Sequence, residues 1–550
     1  MKKFLLLTGI SAISLATFAD EIPMPVKLDD VFIQKLSPNG KYAVSNFTQQ
    51  SITIFNLETG EKFAYKAEGE DAPEQYYYGL GKCISNEGIF VGGQTGETAE
   101  YWKNGKWYQL SGGKNSFINS ANAISADGSR ICGMIGADAF SYVDDVLMVV
   151  PCIWNAEGEG FGEPVVLPYP EFDFLGRVPQ YVKATDMSAD GKTVVGMVND
   201  ATGRFAYPII YKEDEEGKWS YDIPHKELLM KEGFELPENP GDFKEMTPNY
   251  EEYMTPEEIS AYNKACEDYY KVGDWDAEYP TPEKFMTPEM AEEYENDYLE
   301  YQEKYNAWQE KNIAFMEAYD IISEFAPSYQ DNSVRISSDG LTYACTIQEG
   351  SSFPWGGATK YNVWVFDINT DKIVKYDQQD NICLSYLADG GIAVASTPVS
   401  FFMAEPSNSY VLKDGEITGM YDWMNSKVPV YASWMKENMV FKYNGYDEEG
   451  EPVVLEDLMT GRAATTPDLS VMALSVQNIG FPEDDSVWED PDYTPVIGYG
   501  YIFNLDKATA ITEIRPSTEG KIIYDLSGRR LKEASAPGIY IINGEKKVVR

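Results

Sequence analysis

Three observations predict an all-β protein: a β-propeller of about seven blades with an α-helical hairpin insertion and a small C-terminal β module. The first is a phrase written twice almost letter for letter, ISADGSRICGM at Ile124–Met134 and MSADGKTVVGM at Met187–Met197. The second is the recurrence of its pattern, apolar-Ser-x-Asp/Asn-Gly before a β-prone run: LSPNGKYAVSNF from Leu36, ISNEGIFVGG from Ile84, ISSDGLTYACTI from Ile336 and YLADGGIAVAS from Tyr386. A worn seventh copy, TPDLSVMALSV, starts at Thr466. The third is a switch from alternating to helical periodicity between His225 and Gln330.

Each copy reads as strand, tight turn, strand, because Asp-Gly and Asn-Gly supply the positive φ that a two-residue hairpin needs. A third, aromatic-bearing strand follows, as in SITIFNLETG, AEYWKNG, PCIWNAEG, YPIIYKED, YNVWVFDINT, SYVLKDG and YGYIFNL. A short fourth strand, such as EKFAY, KWYQL or EPVVL, closes the unit. Four strands in about 40 to 60 residues, repeated roughly seven times, are the dimensions of a propeller. A sandwich does not repeat its sequence in this way, and the rungs of a parallel β-helix are shorter.

The units resemble the extracellular HAF-type, WD-like repeat, in which AxxIS-ADG-xxVVG leads into a strand ending in Trp and a glycine turn. ANAISADGSRICGM with PCIWNAEGEG, and DMSADGKTVVGM with YPIIYKEDEEG, carry the likeness, which extends over roughly residues 30–510. It implies a propeller and no particular activity. The tail, KIIYDLSGRRLKEASAPGIYIINGEKKVVR, is similar to the sorting module of the type IX secretion system found on exported Bacteroidetes proteins. Asp525, Gly528 and Arg529, then Pro537-Gly538-Ile539-Tyr540, then Lys546, Lys547 and Arg550 carry that likeness. It reads as three short strands.

Lys2 and Lys3, an apolar run from Phe4 to Phe18, and small Thr17 and Ala19 before Asp20 form the layout of a signal peptide. The run is shorter than the ~20 residues of a spanning helix. The expected organisation is therefore a signal peptide over 1–19 and a first propeller part over 20–224. An acidic helical insertion over 225–330, a second propeller part over 331–510 and a C-terminal module over 511–550 complete it. Export to the periplasm, outer-membrane surface or exterior follows, with no membrane insertion. With 89 acidic against 44 basic residues and a net charge of -45, the chain repels a phosphate backbone. Nucleic acid and anionic membrane surfaces are excluded as partners.

If the strands run outward from a hub, the first and third turns of every unit are short and share one face. The remaining connections are long, aromatic-rich and lie on the other face, where function concentrates on a rigid scaffold. Trp355 and Phe353 in SSFPWGGATK, Tyr77 in EGEDAPEQYYYGLGK, and Phe401 and Phe402 in TPVSFFMAEPSNS are the candidate ligand-binding residues. Exposed aromatics there suit stacking on a glycan or anchoring a protein partner.

The insertion opens twice on a helix start: Thr255 before Pro256, Glu257 and Glu258, and Thr287 before Pro288 and Glu289. Tyr294, Tyr298, Tyr301, Tyr305 and Trp308 recur at helical spacing in the second segment. That stripe either packs helix on helix, the expected reading, giving a hairpin with its acids in solvent, or forms a binding surface.

His225 is the only histidine, which removes histidine-ligated zinc and histidine-rich catalysis by count. It reads as a solvated loop residue. No GxSxG elbow follows the signal peptide, GLGKC lacks the rest of a phosphate-binding fingerprint, and DEEGE lacks the alternating ligands of an EF-hand. The six cysteines contain no CxxC. Cys132 and Cys152 either face each other across neighbouring strands or are buried thiols. No catalytic, cofactor or metal-binding residue is assigned. The expected function is non-catalytic binding or scaffolding of a protein or glycan through the long-loop face. The alternative is a propeller glycoside hydrolase or lyase using carboxylates in a central cavity, and 89 acids make such a pair impossible to locate by sequence.

Overall fold

The computed structural model describes residues 23–29, 31–48, 51–64, 83–92, 99–112, 119–136, 149–170, 179, 181–199, 206–229, 237, 240–241, 243–272, 278–325, 327–329, 333–349, 360–377, 381–397, 407–446, 452–479, 496–506, 523–525, 530–531, 538–542 and 545–549. The described chain is mostly β. It divides into two compact units, residues 89–373 and residues 1–88 with 374–550.

The repeated phrase is explained at its turn. Ser125 donates to Asp127 Oδ1 at 2.6 Å and accepts the Arg130 N–H at 3.0 Å, so one hydroxyl closes the hairpin from inside. Ser188 with Asp190 and Thr193, and Ser337 with Asp339 and Thr342, repeat the arrangement. So does Ser37 with Asn39 and Tyr42. The glycine that follows stands at positive φ, +69° at Gly40, +73° at Gly128, +67° at Gly191 and +71° at Gly340. In the worn copy Thr466 replaces the serine, donating to Asp468 at 2.8 Å, and Leu469 takes the glycine position at φ +63°.

The phrase's second glycine has a different cause. In the third and fourth repeats the first strand carries a bulge, between Ala121 and Ala123 and between Ala184 and Asp186. The bulges bring the carbonyls of Ser120 and Lys183 to where a Cβ would lie on Gly133 and Gly196. Only glycine fits there.

In the unit 89–373, the third repeat comprises strands Ser120–Ile124, Arg130–Gly136 and Val149–Glu157, with short Gly160–Phe161 and Val165–Val166 pairing to the last. The fourth comprises Tyr181–Met187, Thr193–Asn199, Ala206–Glu213 and Trp219–Asp222, all antiparallel. The fifth contributes Ser328–Tyr329, Arg335–Ile336, Thr342–Glu349 and Lys360–Asp367. Successive turns are joined main chain to main chain: the Ala126 N–H donates to the Ala189 carbonyl, and the Ala189 N–H to the Ser338 carbonyl, both at 2.9 Å. The inner strands are joined as well, since Asn122 Nδ2 donates to the Ala184 carbonyl at 2.6 Å and Asp186 accepts the Ile336 N–H at 3.2 Å. Arg130 adds a two-pronged ion pair to Glu213, 2.6 and 3.1 Å, spanning the third and fourth repeats.

The same unit carries helix α1 (Pro256–Val272) and helix α2 (Pro288–Phe325). The expected helix-on-helix packing of the tyrosine stripe is corrected: a segment of irregular chain covers it. Phe243 sits 5.6, 5.4 and 5.7 Å from the rings of Tyr301, Tyr305 and Trp308, and Trp308 Nε1 donates to the Gly241 carbonyl at 2.9 Å. Tyr253, in a short 3-10 turn, packs on Tyr294 and donates to Asp297 at 2.6 Å. Helix α1 instead packs Tyr262 against Tyr250 and Phe285. A stripe of flat rings accepts an extended strap as readily as a second helix.

In the other unit, the first repeat is Ile33–Leu36, Tyr42–Thr48, Ser51–Asn56 and Lys62–Ala64, and the sixth is Cys383–Ala388, Ile392–Ser396, Ser409–Lys413 and Glu416–Gly419. The seventh is Arg462–Thr465, Val471–Ile479 and Val496–Asn504, and its fourth strand comes from the opposite end of the chain: Val26–Asp29 pairs antiparallel with Tyr499–Ile502. Turns touch again, with the Asn39 N–H on Asn86 Oδ1 at 2.8 Å and the Asp389 N–H on the Pro467 carbonyl at 2.9 Å. Helices α3 (Met420–Lys427) and α4 (Pro429–Asn438) and the hairpin Val440–Tyr446/Pro452–Leu458 lie between the sixth and seventh repeats. They bury Met420, Met424, Tyr431 and Met435 with Met472, Leu474, Tyr501 and Phe503. The C-terminal module is a sheet of four strands rather than three, in the order Arg530–Leu531, Ile523–Asp525, Gly538–Ile542, Glu545–Val549.

The register settles the Cys132–Cys152 pairing. Cys132 lies opposite Ile153 and Cys152 opposite Gly133. One residue out of register sends the two side chains to opposite faces of the sheet, and both are buried thiols. Burial pushes the Cys152 thiol well up, with Cys132 adding to it.

The turn carboxylates make stability depend on acid. Burial raises Asp127, but hydrogen bonds from Ser125 and Ser129 outweigh it and hold the carboxyl below its ordinary value; Asp468 is lowered in the same way by Ser470 and Thr466. A lowered folded value gives stability that is complete above the unfolded value of ~3.9 and is lost as pH falls through the folded one. Asn39 shows that the turn accepts an amide. The double variant Asp127→Asn/Asp468→Asn should therefore fold, and its urea-unfolding free energy should fall less than that of the wild type between about pH 5 and pH 3.

Candidate functional site

Trp355, Phe353, Tyr77, Phe401 and Phe402 all lie outside the described residues. The described chemistry gathers instead where the fourth repeat hands the chain to the helical insertion. Strand Trp219–Asp222 runs antiparallel to Ala206–Glu213, setting Asp222 opposite Ile210 and Ser220 opposite Lys212. Those four share one sheet face. With Tyr221, Pro224 and Ile368 they line a surface cleft of about 100 Å³. Its walls offer one ammonium, one carboxylate and two hydroxyls around an apolar floor.

His225 stands directly beyond the cleft at φ +54°, ψ +43°. That left-handed conformation costs a non-glycine residue of order 1 kcal/mol and is commonest for Asn, Asp and His. It turns the imidazole inward, so that the side chain is only 5% exposed. The expectation of a solvated histidine is thereby corrected. The imidazole lies 5.1 Å from the Phe366 ring and 6.2 Å from Tyr343, which stack on each other at 4.6 Å and 2°. Nδ1 lies 3.3 Å from Glu227 Oε1 at the exposed side.

The nearby buried phenols and thiol are held in their protonated forms. Burial pushes the Tyr343 phenol well up, with Cys345, Tyr329, Glu227 and Asp222 adding to it, and burial with Tyr221 does the same to Tyr211. Both hydroxyls are buried without a hydrogen-bond partner among the described residues. The Cys345 thiol is raised by burial, against a smaller lowering by Arg335. Neutral phenols and a neutral thiol do not supply a nucleophile at physiological pH. Sequence reading noted His225 only as a solvated loop residue and did not reach Tyr343 or Phe366; the signal available was a lone histidine after proline at the exit of an outer strand.

No protein-family model matches the chain, and no curated protein does. Among solved structures it is similar to the β-propeller domain of Cps50 (Swd1) from Myceliophteria thermophila, at 8% identity and TM-score 0.37, covering 87% of this chain and 98% of that one. It is also similar to the β-propeller domain of the trilobed protease from Pyrococcus furiosus, at 9% identity and TM-score 0.27, covering 81% and 89%. Tricorn protease is similar at 11% identity and TM-score 0.33 over 88% of this chain and 35% of its own, so the chain spans about a third of that protein. None of the three lends its activity to this chain. No helix among the described residues is long and apolar enough to cross a membrane.

The His225 corner makes an ordered prediction. His225→Ala loses the ring contacts and places alanine at positive φ, whereas His225→Asn loses only the ring. Urea unfolding should rank wild type above Asn above Ala, with a total loss of about 2 kcal/mol. Equal stability of Ala and wild type would show that the imidazole contributes no packing.

Proposed function

We propose that the chain is an exported, non-catalytic binding scaffold whose repeats form a propeller of about seven blades and recognise a protein or glycan through the long-loop face. The observation that carries this reading is the chain of turn-to-turn hydrogen bonds within each unit, Asp389 to Pro467 and Asn39 to Asn86 in one, Ala126 to Ala189 to Ser338 in the other. Turns tied in this way occupy one end of the strands, which leaves the long connections to the other. The pairing of Val26–Asp29 with the last repeat supports closure, because a strand that precedes the first repeat completes the sheet of the seventh.

Within this reading residues 1–19 are a cleaved signal peptide, and the C-terminal sheet serves export. The helical insertion over 225–330 is a separable outgrowth. Replacing residues 237–326 with a short Gly/Ser linker keeps His225 and the Tyr329–Ile347 pairing in place. The β-type circular dichroism and cooperative melting should survive that replacement, since repeats carry their own core. Loss of folding would make the helices part of that core.

A glycan array and a hydrolysis screen on residues 20–550 test the activity directly; release of reducing ends would favour the hydrolase reading instead. Trp355 is the first residue to vary once a ligand is in hand. Trp355→Ala should weaken binding at least about tenfold with little change in melting temperature, as expected of a stacked indole. A lowered melting temperature with unchanged affinity would make Trp355 a packing residue.

A further inference from the structure

We propose that the cleft between the fourth and fifth repeats binds a small zwitterion, an α-amino acid with a short aliphatic side chain, Lys212 taking its carboxylate and Asp222 its ammonium. Both residues line that one cleft, and register sets them on one sheet face, Lys212 opposite Ser220 and Asp222 opposite Ile210. They are therefore diagonal neighbours, at a spacing of about 7–8 Å that a long side chain can cross. Here it is not crossed: neither side chain has an ion-pair or hydrogen-bond partner among the described residues. The adjacent Glu213 is no competitor for Lys212, since it lies on the opposite face and is held by Arg130 at 2.6 Å. The Ser220 hydroxyl is turned to the Lys212 carbonyl at 3.4 Å, which leaves the two unengaged charges to hold a ligand.

An α-amino acid matches that gap. Its nitrogen and carboxylate carbon are about 2.5 Å apart, and a charge-assisted hydrogen bond adds about 2.8 Å on each side, so the bridge from ammonium to carboxylate spans roughly 8 Å. The volume of about 100 Å³ is well below the roughly 300–1,000 Å³ of a pocket for a drug-sized molecule and about three times a water molecule's share of liquid. It admits the body of a small amino acid and not a sugar chain. Ile210, which is buried, forms an apolar floor with Pro224 and Ile368 for the ligand's side chain.

Charge favours a zwitterion over either simple ion. A free carboxylate would meet the unpaired Asp222 and the field of a chain of net charge -45, and a free ammonium would meet Lys212. A molecule with both charges and no net charge answers each group with its opposite. Lys212 and Asp222 are exposed, so the contacts are screened by solvent and binding falls in the millimolar range. The cleft lies at the outer strand of the fourth repeat, so the site is independent of the long-loop face.

The test is ligand-detected NMR on residues 20–550 with L-valine, isovalerate, which lacks the ammonium, and isobutylamine, which lacks the carboxylate. Valine should bind with a Kd of about 1–10 mM, at least about fivefold more tightly than either fragment. Lys212→Gln should weaken valine at least about fivefold without weakening isobutylamine, and Asp222→Asn should weaken valine at least about fivefold without weakening isovalerate. No binding of valine up to roughly 50 mM, fragments that bind as tightly as valine, or either variant holding valine within about twofold of the wild type overturns the proposal. Both substitutions are at exposed positions, and urea unfolding of each variant should match the wild type. Where one does not, Lys212→Met or Asp222→Ser is read against the same criteria.

Discussion

The hairpins of the well-kept repeats depend on one side-chain oxygen. In each well-kept repeat the turn serine donates to the Asp or Asn two residues on and accepts the N–H five residues on. Without it the hairpin would need its turn ordered by backbone alone. The glycine at positive φ leaves space that side chains of the neighbouring repeat fill, beside the main-chain bonds made by the residue between the serine and the aspartate. At Gly191 an added Cβ would lie 2.9 Å from Arg130 Cδ, and at Gly40 2.7 Å from Val471 Cγ2. The turn is therefore both the end of one hairpin and the docking point for the next. Stability built from a repeat and its nearest neighbours follows from that geometry.

The hairpins were legible because their determinants are local. Ser-x-Asp-Gly acts over six residues, and alternation of apolar side chains acts over a strand, so both are written contiguously. The seventh copy was readable even with Thr466 and Leu469 in place of Ser and Gly, since Thr466 keeps the hydroxyl and Asp468 the carboxylate. What escaped reading depends on distant partners. Helices α3 and α4 have eight and ten residues and carry Met, Tyr and Trp on most sides. Val428-Pro429-Val430-Tyr431 reads locally as strand or turn, and only the facing Met472, Tyr501 and Phe503 make helix the better burial. The Cys132–Cys152 question turned on a single residue of register, which no spacing rule encodes.

The site was less legible than the fold for a related reason. Residue type identified His225 as singular, but its burial follows from a left-handed backbone that the sequence announces only weakly through Pro224. Tyr343 and Phe366 lie on strands more than a hundred residues away. Their stacking at 2° exists because register places Tyr343 opposite Phe366. The aromatic loop residues selected for binding were chosen by topology alone, and the described geometry neither gathers nor separates them.

The insertion shows why tyrosine rather than phenylalanine fills an aromatic spine in an acidic setting. Tyr253 packs its ring against Tyr294 while its hydroxyl donates to the Asp297 carboxylate. That hydrogen bond, with partial desolvation and nearby acids, pushes the Tyr253 phenol up to about 12. A folded value above the unfolded ~10 means the contribution is complete below the unfolded value and is lost as pH rises through the folded one. The turn aspartates have the opposite sign, since theirs is lost as pH falls. Asp127 and Asp468 thus lose their contribution in acid and Tyr253 loses its own in alkali, because the two carboxylates act as acceptors for hydroxyl and amide protons while the phenol acts as a donor.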